Sequence, residues 1–163
     1  MIKGVGGLPE IARLYKECGA AQLATSRLEQ IELWRREGVD GPFLLLRVPG
    51  MSELESLPHL ADYSLQSDVS TLNALENVCA RQNLTHKVIL MADLGDLREG
   101  FWDKAEMIRA CCHVERELPH VHLAGIGVNL TCYGSTKPTP EKMTGLLALR
   151  RRVEDGIGRR LEV

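Results

Sequence analysis

Residues 86–100, HKVILMADLGDLREG, join an apolar strand to a cluster of charged side chains. The run VILM is typical of a strand that is buried on both faces. Four charged residues and two glycines then follow within the eight positions 93–100. In parallel α/β folds, functional groups gather at the carboxyl ends of the strands. Asp93, Asp96 and Arg98 are therefore predicted to lie in a functional site.

Other predicted strands also end in polar residues. These strand ends supply Lys3, Thr25, Ser26, Arg27, Arg47, Gln66, Ser67 and the segment 129–134. Together with residues 93–98, these strand ends hold a lysine, two or three arginines and several small polar residues, with few free carboxylates. This set predicts an anionic ligand that carries phosphate or carboxylate groups.

The elements that would position these groups alternate between strand and helix. AQLATS, PFLLLRVPG, DYSLQS, KVILMAD and VHLAGIGVNL are predicted strands, with helices between them. One predicted helix begins at Pro9 and places Ile11, Leu14 and Cys18 on one face, and the next buries Leu28, Ile31 and Trp34. Asp68 or Ser67 could cap a later helix that runs to about Asn83, and another helix is predicted from Phe101 to Leu118.

The absence of hairpin signals predicts right-handed βαβ units and a parallel sheet, so the fold class is α/β. About five strands are predicted, with the tail of another in MIKG. The spacing fits an incomplete TIM-barrel-like (β/α) repeat of about five to six units, and it also fits a doubly wound open sheet. The pattern leaves both open.

Composition limits the class of partner. The chain has 163 residues and a formal net charge of −2, and only 4% of its residues are aromatic. These values argue against nucleic acid or an acidic membrane surface as the main partner. No signal peptide or long apolar run is present, and the five cysteines follow no pairing pattern. A cytoplasmic protein with reduced thiols is expected.

Several of these residues have simpler structural interpretations. Lys3 could be a solvated residue near the terminus. Asp93 and Asp96 could be a loop aspartate and a helix N-cap, with Arg98 in a surface ion pair. The segment NLTCYGSTKPTP could be a plain loop, and GVGG lacks the strand and helix spacing of a dinucleotide-binding motif.

The segment 111–122 contains CCH and HVH, which are possible metal ligands. Adjacent cysteines on a helix point about 100° apart. The two histidines begin a strand, at the end opposite the predicted site. No metal site is therefore predicted.

Four motifs, in order, resemble the pyridoxal phosphate (PLP)-binding barrel of the alanine racemase family, and most closely its ornithine-racemase-like branch. KGVGGLPEIA is similar to the end of the first barrel strand, with its cofactor lysine. FLLLRVPG resembles the third-strand motif, and VILMADLGDLREG resembles the element Asp-x-Gly-x-x-Arg-x-Gly. GIGVNLTCYG is similar to the next strand end. The resemblance spans essentially the whole chain and implies a fold-type III barrel.

The resemblance also implies roles for single residues. Lys3 would be the catalytic residue, forming the Schiff base with PLP and serving as one of two acid/base groups. Arg98 would bind near the phenolic oxygen of PLP. Asn129 stands at the strand end where alanine racemases have a histidine against the pyridine ring. The substrate contacts would be Arg47, Thr131, Cys132 and Tyr133.

The activity implied is racemisation of an amino acid by a cytoplasmic homodimer or other homo-oligomer, an isomerase of amino acid metabolism. Residues 1–163 would form a single, partial PLP-binding barrel domain without the carboxyl-terminal β-domain. The family's phosphate loop would also be missing, so this chain alone is expected to be inactive. The alternative is a non-catalytic PLP-binding protein or an inactive barrel fragment.

Overall fold

Strands and helices alternate along the chain in the computed structural model, which describes residues 1–130 and 136–163. The described residues divide into two compact units, Met1–Leu65 and Gln66–Val163. All the strand pairings within each unit are parallel. The α/β class predicted from the alternating pattern is therefore confirmed.

The first unit contains three strands that pair in chain order. Its elements are α1 (Pro9–Glu17), β1 (Leu23–Thr25), α2 (Leu28–Arg36), β2 (Phe43–Leu45), α3 (Leu57–Leu60) and β3 (Tyr63–Gln66), whose last residue opens the second unit. Leu23 is in register with Phe43, and Leu44 with Tyr63. The ring of Trp34, on α2, packs 5.6 Å from that of Phe43, and both residues are fully buried.

The second unit contains a long parallel pair. Its elements are α4 (Val69–Gln82), β4 (His86–Ala92), α5 (Lys104–Glu117), β5 (Val121–Val128) and α6 (Pro140–Ile157). Pairing of β4 with β5 runs from His86 and Val121 to Ala92 and Val128, which places the ends of both strands at one edge.

Each long helix of the second unit begins at a side-chain cap. The carboxylate of Asp68 accepts a hydrogen bond from the backbone N–H of Thr71 at the start of α4, and Asp103 accepts two at the start of α5. Such caps stabilise a helix because they satisfy N–H groups that have no partner within it. Asp68 was one of the two caps predicted for α4.

One sequence prediction about a helix is wrong. The helix expected from Phe101 begins at Lys104, because Phe101 forms a bridge to Ala92 instead. On α1, Leu14 is 52% exposed and Cys18 is exposed, whereas Ala12 is buried. None of the helices within the described residues is both long and apolar enough to cross a membrane.

Candidate functional site

Lys3 lies directly after a residue that is anchored to β1. The backbone N–H of Ile2 donates to the carbonyl of Ala24 at 2.9 Å, and the Ile2 side chain is fully buried. Lys3 begins a short 3₁₀ turn (Lys3–Val5), and its side chain is exposed. The structure thus presents this primary amine to solvent from a fixed backbone position.

Two side chains of α2 hold the turn that follows Lys3. Gln30 donates to the carbonyl of Gly6 at 2.9 Å, and the buried indole N–H of Trp34 donates to the carbonyl of Gly7 at 2.7 Å. Gly7 has a φ of +71°, and a Cβ there would lie 2.3 Å from the Gln30 side chain. The hydroxyl of Thr25, at the end of β1, also donates to Gln30. The turn is therefore tied to both β1 and α2.

Arg47, after β2, forms a clamp within the first unit. Its guanidinium donates to the carbonyl of Ser26 at 2.7 Å. It also donates two hydrogen bonds to the carboxylate of Glu53, one of them 2.6 Å long. The hydrogen bond from Arg47 holds the pKa of Glu53 below its ordinary value of 4.5, and the same bond raises the pKa of Arg47. The structure gives Arg47 a structural role, and its contact with substrate stays a prediction.

In the second unit, the segment 93–101 is a loop whose two ends are bonded to each other. The N–H of Asp93 donates to the carbonyl of Phe101 at 3.0 Å, and the N–H of Phe101 donates to the carbonyl of Met91 at 2.8 Å. Gly100 makes this close approach possible: its φ is +108°, and a Cβ there would lie 2.7 Å from backbone atoms of Ala92 and Asp93. We call this segment the β4 loop.

Asp93 organises the interior of the β4 loop. Its Oδ1 accepts hydrogen bonds from the N–H groups of Gly95 at 2.7 Å and Leu97 at 3.2 Å. The hydroxyl of Thr136 donates to the carbonyl of Gly95, and the ammonium of Lys104 donates to the carbonyl of Asp93. Partial burial lowers the pKa of Lys104. Asp93 is thus the loop aspartate that its simpler interpretation describes.

Asp96 differs from Asp93 in its surroundings. The residue is 5% exposed, both of its carboxylate oxygens are buried, and no donor among residues 1–130 and 136–163 binds either of them. It is not the cap of α5, because Asp103 has that role. A buried carboxylate without a hydrogen-bond donor is unfavourable in a folded protein, so this group calls for an explanation.

Arg98 and Asn129, the two residues predicted to bind the cofactor beside Lys3, meet on one carboxylate. Arg98 donates to Oε1 of Glu99 at 2.9 Å, and the amide of Asn129 donates to the same oxygen at 3.2 Å. Only 10% of the Glu99 side chain is exposed. Glu99 therefore links the end of β4 to the end of β5. No role was predicted for Glu99 from the sequence. Its position between Arg98 and Gly100, inside the Asp-x-Gly-x-x-Arg-x-Gly element, could have indicated one.

The charge balance at these strand ends differs from the expected excess of cations. Arg47 is paired with Glu53 and Arg98 with Glu99, while Asp96 has no cationic partner within the described residues. Thr131, Cys132 and Tyr133, the other predicted substrate contacts, lie outside the described residues.

The histidines of the possible metal ligands have carboxylate partners instead. His120 Nδ1 lies 2.7 Å from Glu76, and His122 Nε2 lies 2.8 Å from Glu162. Within residues 1–130 and 136–163, no cluster of three or more His, Cys, Asp or Glu side chains could hold a metal ion.

The donor groups fit the chemistry of PLP. The first unit supplies an exposed primary amine at Lys3, the group that an aldehyde requires, and the second supplies a guanidinium and an amide fixed at strand ends. Arg98 and Asn129 follow β4 and β5 in the chain, the position at which functional groups of a parallel α/β fold gather.

Comparison with known proteins identifies a family and its fold. A family model described as "Alanine racemase, N-terminal domain" matches residues 2–161. The alanine racemase of Clostridium difficile 630 in complex with cycloserine superposes with a TM-score of 0.78 at 17% identity, covering 94% of this chain and 42% of that one. The TIM-barrel-like interpretation is therefore confirmed, and the open sheet is excluded.

Two curated relatives support the ornithine-racemase-like branch. The lysine racemase of Thermotoga maritima is 35% identical over 159 residues, which are 96% of this chain and 43% of the relative. The ornithine racemase of Acetoanaerobium sticklandii is 41% identical over 103 residues, which are 63% of this chain and 29% of the relative. This chain thus spans less than half the length of either relative. The PipY protein of Synechococcus elongatus PCC7942, solved with PLP bound, superposes with a TM-score of 0.75 at 14% identity, covering 94% of this chain and 73% of that one.

Proposed function

We propose that this chain, which belongs to the alanine racemase N-terminal domain family, binds PLP through Lys3 and forms part of an amino acid racemase. The observation that carries the proposal is the position of Lys3. Its amine is exposed, follows a residue bonded to β1, and begins a turn held by Gln30 and Trp34. A reactive amine on a rigid backbone loses little freedom when it engages a ligand.

PLP, when bound, stabilises the negative charge that develops on the α-carbon of an amino acid as its α-proton leaves. In the proposed site, Nζ of Lys3 accepts or returns this proton on one face of the substrate. Inversion needs a second acid/base group on the opposite face.

Arg98 and Asn129 are the other two residues proposed to hold the cofactor. Glu99 fixes both side chains, so they would keep their orientation as the ligand binds. Arg98 would donate to an oxygen of PLP, and Asn129 would lie against the ring. Arg47 would support the first unit through Ser26 and Glu53.

The substrate is proposed to be an amino acid with a cationic side chain. The lysine racemase and the ornithine racemase that resemble this chain are named for such substrates. Arg47 and Arg98 agree with this class because each is already paired with a glutamate, so neither guanidinium is left to attract a second anionic group. A cytoplasmic homodimer is part of the same proposal.

PLP binding without turnover is the second candidate. The exposure of Lys3 favours it, because acid/base catalysis at the α-carbon works best where water is excluded.

A PLP titration followed by borohydride reduction and peptide mapping tests the proposal. We expect one PLP per chain, attached to Lys3 and lost in Lys3→Ala. The matched control is Lys137→Ala, which removes another exposed lysine and should leave the labelling unchanged. Labelling scattered over several lysines, or equal labelling of Lys3→Ala, would contradict the proposal. Racemisation of lysine and ornithine by the labelled protein then separates turnover from binding alone.

A further inference from the structure

The buried carboxylate of Asp96 is the feature that the proposed chemistry does not use. The backbone of Asp96 has a fixed position, because hydrogen bonds join the two ends of the β4 loop and others cross its interior. Phe101 bonds back to Met91 and Asp93, and the Oδ1 of Asp93 binds the N–H groups on both sides of Asp96, those of Gly95 and Leu97. The position of Asp96 is thus set before any ligand arrives.

The charges around the β4 loop leave Asp96 without a counterion. Arg98 is bound to Glu99, and Lys104 directs its ammonium to a backbone carbonyl, that of Asp93, at 2.5 Å. Lys142 contributes another cation close to Gly95, yet its ammonium forms no salt bridge with Asp96. Among the described residues, then, nearby cations do not satisfy this carboxylate.

We infer that Asp96 binds the side-chain ammonium of the substrate and so selects amino acids with a cationic side chain. This inference rests on the proposed function and names the residue that sets the substrate class. An ammonium group supplies both the positive charge and the hydrogen-bond donors that the two oxygens lack. Because the oxygens are covered, the incoming group must displace the protein atoms over them, and pairing a buried carboxylate favours that exchange.

Asp96 would select against ligands that leave its carboxylate unpaired. A substrate with the same carbon chain but an apolar end would leave Asp96 buried and unpaired, and sites that bury a polar group reject ligands that cannot bond to it. L-Lysine and L-norleucine provide this comparison, since they differ only in the terminal ammonium.

Calorimetric titration of the PLP-loaded protein with these two amino acids is the test. We expect the unaltered protein to bind lysine at least tenfold more tightly than norleucine, the order expected for a charge-assisted hydrogen bond. Asp96→Asn should remove this preference while norleucine binding is kept. Asp155→Asn, which removes an exposed carboxylate near the end of α6, should keep the preference.

The melting temperature of the protein without ligand distinguishes a role of Asp96 in substrate recognition from a structural role. If Asp96 lacks a partner in the folded chain, Asp96→Asn should leave the melting temperature unchanged or raise it, because a buried charge is removed. A clear fall in the melting temperature of Asp96→Asn would indicate hidden structural bonds and overturn the inference.

The outcomes separate this inference from the proposed function. If lysine and norleucine bind the unaltered protein equally, the racemase proposal stands and the role of Asp96 is refuted; this comparison needs no variant. If neither amino acid binds, both proposals fail. A lysine preference retained in Asp96→Asn refutes the role of Asp96 alone.

Discussion

Replacing Gly100 with alanine should destabilise the second unit strongly, because two separate costs fall on one residue. Gly100 has a φ of +108°, which costs a residue with a Cβ about 1–3 kcal/mol. The new Cβ would also lie 2.7 Å from backbone atoms of Ala92 and Asp93, which belong to β4 and its end and cannot turn aside as a side chain can. Displacing packed backbone costs a further 1–3 kcal/mol or so. We therefore expect a loss of about 2–6 kcal/mol.

The matched control is Gly145→Ala. Gly145 lies within α6, and no heavy atom lies within 4 Å of the Cβ that alanine would add. Alanine should stabilise the helix there by about 0.5–1 kcal/mol. Urea denaturation followed by circular dichroism measures both changes in the free energy of unfolding. PLP titration of Gly100→Ala should also show weakened binding, since Glu99 and Arg98 directly precede the displaced residue.

One result would refute this reasoning. If Gly100→Ala and Gly145→Ala had the same free energy of unfolding, the close approach of Phe101 and Gly100 to β4 would not exist in solution. The hydrogen bonds assigned to the ends of the β4 loop would then have to be abandoned with it.

Two further predictions concern the first unit. Trp34→Phe should lower the free energy of unfolding by about 1–3 kcal/mol, because the buried carbonyl of Gly7 loses its donor; circular dichroism in urea measures this, and an unchanged midpoint would refute the bond. Glu53→Gln should lower stability at neutral pH but not in acid. The pKa of Glu53 lies below its ordinary 4.5 because of the hydrogen bond from Arg47, so its contribution is present above pH 4.5 and is lost as the pH falls through the lowered pKa. Unfolding measured from pH 7 to pH 3 should show the two proteins converging, and a constant gap would contradict the assignment.

The regular elements could be predicted from sequence where a local pattern was sufficient. On α2, Leu28, Ile31 and Trp34 are large, recur at helical spacing, and are all buried as predicted. On α1 the same spacing placed Ile11, Leu14 and Cys18 on one face, yet Leu14 and Cys18 are exposed and Ala12 is buried. The buried face there is set by what packs against the helix, and a small residue allows close approach without leaving a hydrophobic signal in the sequence.

The contacts of the site were less accessible to prediction. The motif indicated where Asp93 and Arg98 would lie, and both are in the β4 loop as expected. It could not indicate that Arg98 and Asn129, which are 30 residues apart in sequence, both bond to Glu99. Likewise, Arg47 and Glu53 meet because the chain turns between them, and loop residues carry no period from which such a pairing can be read.

The hydrogen bonds that join Phe101 to Met91 and Asp93 have a consequence for how proteins with this fold can diverge. A loop whose two ends are fastened to each other does not transmit changes in its tip to the strands beneath. Substitutions at Leu97, which is 74% exposed, or at Asp96 can therefore alter what the loop recognises while β4 keeps its register. New specificities could arise at the tip of the loop with the barrel scaffold unchanged.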